Sequence, residues 1–78
     1  MLSTLFKDFG IADAACDIEA SFHPLFKVPY LFFRSPGNPL VGLDLTGASQ
    51  LRQMLAHNGD TEKADELDRL IRKASQLG

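Results

Sequence analysis

Cys16, His23 and His57 are the only thiol and imidazole side chains in this 78-residue chain. Thiol catalysis needs an imidazole within hydrogen-bond reach of the sulfur. Cys16 and His23 are seven positions apart. On one unbroken helix that spacing is two turns, roughly 10 Å along the axis, too far for proton transfer. No glycine-rich elbow surrounds Cys16. The residue reads as a small thiol packed among Ala14, Ala15 and Ile18.

Carboxylates come in two groups: Asp13, Asp17 and Glu19 near the N-terminus, and Asp60, Glu62, Asp65, Glu66 and Asp68 near the C-terminus. Asp13 and Asp17, four apart, have the spacing for a hard cation on a helix, but the calcium-loop pattern with its glycine and closing glutamate is absent. Solvated faces and helix caps account for these residues. His23 and His57 stand apart from Cys16 and from each other, so no zinc cluster forms. The strand-to-helix passage "LDLTGAS" offers free N–H groups at a helix start, yet holds only Gly47 where a phosphate loop needs several glycines. The expectation is no catalytic residue, no cofactor, no metal and no enzyme activity.

"QLRQMLAHNGDTEKADELDRLIRK", residues 50–73, has the outline of a helix-turn-helix unit. A recognition helix presents Arg, Lys, Asn or Gln to base edges at its start. This one opens "DTEKADE", with four acids that phosphates would repel. The net charge of −2 also speaks against nucleic acid as partner. A regulator of nucleic acid acting through Arg52 and the helical pair is the weakest of three readings.

These residues need elements to hold them. Seventy-eight residues make one small domain, 1–78, that buries roughly 60–65% of its unfolded surface. One cysteine allows no internal disulfide, so self-association is the natural source of further burial. Leu2, Leu5, Phe6 and Phe9, with Ser3 as cap, predict a helix. Ile11, Ala14, Ala15, Ile18 and Phe22 predict its continuation, bent or hinged at Gly10, up to His23-Pro24. A strand is predicted from about Leu25 to Arg34, with Pro29 placing it at an edge or a bulge. "SPGNP" predicts a type II turn with Gly37 at positive φ. A second strand follows from about Leu40 to Thr46, with Val41, Leu43 and Leu45 alternating against Gly42, Asp44 and Thr46.

Two helices close the chain. The first is capped by Thr46 or Ser49, with Ala48, Leu51, Met54 and Leu55 as its stripe and Gly59 at its C-terminal end. The second is capped by Asp60, with Ala64, Leu67, Leu70, Ile71 and Ala74 inward and Asp65/Arg69 and Asp68/Arg72 as exposed pairs. The fold class is α+β in the order α-β-β-α-α: an N-terminal helical segment, a β-hairpin and an antiparallel helical hairpin. No apolar run is long enough for a membrane span, and no secretory signal opens the chain. With a lone cysteine, a reducing, cytoplasmic location is expected.

The predicted first strand raises the functional question. Tyr30, Leu31, Phe32 and Phe33 run together before Arg34, although successive strand side chains point to opposite faces. One face can pack on the helices, and the other needs a cover, because soluble monomers rarely expose a large apolar patch. Either the N-terminal helix folds over it or a second copy pairs with it. The second is preferred. Tyr30, Leu31, Phe32, Phe33 and Arg34 are therefore the expected interaction residues of a non-catalytic interaction or regulatory module. Its partner would be a second copy, or another protein. The alternative is a ligand or effector binder that uses Tyr30 and Phe32, with Arg34 as anion partner.

Overall fold

The computed structural model describes residues 2–77, with side chains from residue 4 onward. Its elements are α1 (Leu2–Asp8), β1 (Asp17–Phe22), β2 (Pro29–Arg34), β3 (Val41–Asp44), α2 (Leu45–His57) and α3 (Thr61–Ser75). The class is α+β. The strands form one antiparallel sheet in the order β1-β2-β3, and the helices pack on one of its faces. The inward place expected of Leu2 and the cap expected of Ser3 lie outside the described side chains.

The N-terminal segment departs most from expectation. Helix α1 stops at Asp8, and Gly10 ends it. Gly10 sits at φ +81°, a left-handed conformation that glycine adopts without a Cβ penalty. Its N–H reaches the Lys7 carbonyl at 2.9 Å, and the Ile11 N–H reaches that of Phe6 at 3.0 Å. This is the paired closure of a Schellman motif. Ile11 and Phe6 at its two ends are both buried. The Asp13 carboxylate then accepts the Ala15 N–H at 2.9 Å, a local turn.

The predicted helical continuation through Phe22 is instead strand β1. "DIEASF" alternates: Asp17 and Glu19 are exposed, while Ile18 and Ala20 pack against the core. Backbone pairing with β2 supplies partners that a short isolated helix would have lacked.

β2 is thus the central strand, shorter than predicted. Residues 23–28 are a connecting loop. Pro29 is the first residue of β2, opposite Phe22, a position where a missing N–H is tolerated even in a central strand. Leu31 pairs with Ala20 on one side and Leu43 on the other, and Phe33 pairs with Ile18 and Val41. These residues form the inner face. Phe33 meets Phe6 edge-on, with centroids 6.3 Å apart. The helices contribute Ala48, Leu51 and Leu55 from α2 and Ala64, Leu67 and Ala74 from α3.

Turn Ser35–Asn38 joins β2 to β3. The Asn38 N–H bonds the Ser35 carbonyl at 3.1 Å, and Gly37 has φ +77°, the positive φ a type II turn requires. β3 runs directly into α2. Asp44 therefore caps the helix, its Oδ1 accepting the Gly47 N–H at 2.8 Å, and Thr46 and Ser49, expected as caps, lie inside the helix. Met54, expected in the α2 stripe, is exposed, because the buried stripe runs Ala48, Leu51, Leu55. Gly59 has the expected positive φ. Asp60 stands at the N-cap of α3 without a side-chain bond to the helix, its carboxylate accepting the Asn58 amide at 3.0 Å instead.

Asp68 pairs with Arg72 at 3.0 Å and faces Arg52 of α2 at 4.0 Å. Asp65–Arg69 is not among the ion pairs of the described residues. Lys63 pairs with Glu66 at 3.0 Å, and its ammonium lies 5.8 Å from the centre of the Phe6 ring. One sheet and one helical layer give a slab with Cα extents of 33 × 27 × 16 Å.

Candidate functional site

Alternation along β2 divides the five predicted interaction residues. Leu31 and Phe33 point inward and are fully buried. They belong to the core and not to a surface. Tyr30 and Phe32 point to the outer face, half-buried, and Arg34 is exposed beyond them. Among the described residues no helix covers this face. The N-terminal segment, expected as a possible cover, joins the sheet at its edge instead.

Neighbouring strands shape the outer face. Phe32 stands between Glu19 of β1 and Gly42 of β3, and Tyr30 between Ser21 and Asp44. Gly42 leaves bare backbone for the rings to cross. A Cβ there would lie 3.0 Å from Cε1 of Phe32 and 3.1 Å from Cδ2 of Tyr30. The two rings lie stacked, 5.8 Å apart and 24° from parallel.

The β1–β2 loop extends this surface with residues that the predicted helix-to-strand passage hid. The His23 ring stacks on Phe26 at 4.2 Å and 17°, and meets Tyr30 at 4.7 Å. Its Nδ1 accepts the backbone N–H groups of Leu25 at 3.1 Å and Phe26 at 3.2 Å. The loop is closed by His23 N–H to the Val28 carbonyl and Lys27 N–H to the His23 carbonyl, both 2.9 Å. Lys27 is held at φ 59°. Leu25, Phe26 and Leu40 are 79, 62 and 53% exposed, a concentration of large apolar side chains that a surface has to explain. His23, Phe26, Tyr30, Phe32 and Leu40 line an open groove of about 750 Å³, with Glu19 and Arg34 among its walls.

Thiol chemistry gains nothing from the fold. Cys16 precedes β1 and His23 follows it, so an extended strand of about 20 Å separates them. Cys16 packs half-buried against the core, and burial pushes its thiol above the usual 9.0, against the lesser pull of Lys63. Asp13 lies in a turn and Asp17 on a strand, so the helical spacing considered for a cation does not occur. Among the described residues no three His, Cys, Asp or Glu side chains are placed to hold a metal, and no helix is long and apolar enough to cross a membrane. Comparison with family models, curated proteins and solved structures finds no match to this chain.

Proposed function

We propose that this chain is a non-catalytic interaction module of a reducing compartment, and that it pairs with a second copy of itself through the outer face of its sheet. The observation that carries this reading is the placement of Tyr30 and Phe32 on the central strand, facing away from every helix and flattened over Gly42. The broad face of a 33 × 27 × 16 Å slab is of the size that a stable interface takes, about 800 Å² per partner. A two-fold pairing must bring a patch onto itself. This face suits that demand, with apolar rings at its centre and both charge signs, Glu19 and Arg34, beside them. Sedimentation equilibrium at micromolar concentration should give twice the 8.6 kDa chain mass. Phe32→Glu should give the single chain with an unchanged circular dichroism spectrum. A wild-type protein found only at 8.6 kDa overturns the proposal.

One observation favours a second reading, a small-ligand or effector binder. The groove volume of about 750 Å³ falls within the range of ligand sites, and its stacked rings lie near Arg34, which suits a planar anion. A rise in melting temperature with aromatic carboxylates, in a protein that stays monomeric, would select this reading over pairing. The nucleic-acid reading draws less support, because Arg52 faces Asp68.

A further inference from the structure

We infer that His23 makes the outer face sensitive to pH, so that pairing through it weakens on acidification; this rests on the pairing reading above. The loop that carries Phe26 is built on a lone pair. Nδ1 of His23 accepts two backbone N–H groups, from Leu25 and Phe26, and only an imidazole with an unprotonated Nδ1 can do so. The proton of the neutral ring is therefore on Nε2. A second proton would have to enter at Nδ1, turning the acceptor into a donor aimed at two donors. Imidazole is the side chain whose charge ordinarily changes between pH 5 and 8. Acid thus withdraws the two side-chain bonds that seat Leu25 and Phe26 and leaves the loop on its backbone bonds alone, His23 N–H to Val28 and Lys27 N–H to His23.

The consequence reaches the surface through contact. Phe26 is seated by stacking on the same ring at 4.2 Å, and Tyr30 meets that ring, tilted, at 4.7 Å. Lys27 holds a left-handed φ of 59°, a conformation that a non-glycine residue keeps only while its surroundings impose it. When the loop lets go, Phe26 leaves the groove wall and the apolar face loses one side. The charged and titratable groups on this side are Asp17 and Glu19 of β1, Tyr30 and Arg34 of β2 and Asp44 of β3, with Lys27 in the adjoining loop. Of these, Asp44 is engaged in capping α2. The helices lie on the opposite face and add no charge here.

His23→Asn separates the parts of this device, because an Asn oxygen accepts the same following N–H groups without titrating. In a ¹H–¹⁵N titration from pH 8 to 5, the Leu25 and Phe26 amide signals should move together with the His23 ring signals. Over the same range the self-association Kd should rise about tenfold, as expected for losing two hydrogen bonds, with far-UV circular dichroism unchanged. His23→Asn should pair equally at pH 7.5 and 5.5. Amide signals that stay fixed while the ring titrates would overturn the inference, as would a His23→Asn variant that keeps the full pH dependence. A chain monomeric at both pH values overturns the pairing reading itself. The amide signals still decide whether the loop responds to His23.

Discussion

Leu31 and Phe33 disappear into the core while Tyr30 and Phe32, one residue away from each, stand on the other side of the sheet. No residue type in this run distinguishes the two faces. The distinction comes from register, with Ala20, Ile18, Leu43 and Val41 meeting the inner pair and Glu19, Ser21, Gly42 and Asp44 meeting the outer pair. Two other single residues test the local account. Gly37 has φ +77° with open space where a Cβ would project. Gly37→Ala therefore meets no clash and carries only the conformational cost, about 1 kcal/mol. Urea denaturation of wild type and variant should show that loss; an unchanged midpoint would mean that the turn relaxes.

For Cys16, burial raises the thiol above 9.0. The folded state then holds the proton to higher pH than the unfolded chain does, so this group's contribution is complete below pH 9.0 and declines as pH rises through the folded value. At pH 8 iodoacetamide should label Cys16 more slowly in the folded protein than in urea. Equal rates would contradict the burial.

At the scale of elements, the C-terminal helical pair is the part most legible in the sequence. The α3 stripe places Ala64, Leu67 and Ala74 inward as its spacing requires, with Leu70 and Ile71 half-buried beside them. The expected inequality follows. Leu67→Ala should cost roughly 2–4 kcal/mol, because Leu67 is fully buried. Asp65→Ala should cost no more than about 0.5 kcal/mol, because Asp65 is exposed and outside the ion pairs. Thermal melts of the two variants check this, and comparable losses would mean that the polar face of α3 is structural.

The N-terminal segment was least legible, for a physical reason. Ile11, Ala14, Ala15, Ile18 and Phe22 fit a helical stripe, while Asp17 to Phe22 alone alternate as a strand does. The longer pattern competed with the shorter one. Pairing along β2, a tertiary contact, decided between them. The same competition hides the site's loop: at the end of a helical pattern, His23-Pro24 gives no hint that the imidazole organises an aromatic wall. The proline-glycine turn was legible because turn chemistry is local. The cap of α2 was not, because nothing in "LDLTGAS" says that strand passes to helix without a linker.

At the scale of the whole molecule, two layers leave one sheet face without a cover among the described residues, and a second copy is the cover proposed for it. Mass alone would not locate the contact. Isotope-filtered NMR on a mixture of ¹³C-labelled and unlabelled chains would. The account predicts intermolecular contacts from the Tyr30 and Phe32 rings to outer-face protons of the other copy, such as those of Leu40 or Gly42, and their loss in Phe32→Glu. A mixed sample with no intermolecular contacts at these rings, or with contacts confined to the helical layer, would contradict it.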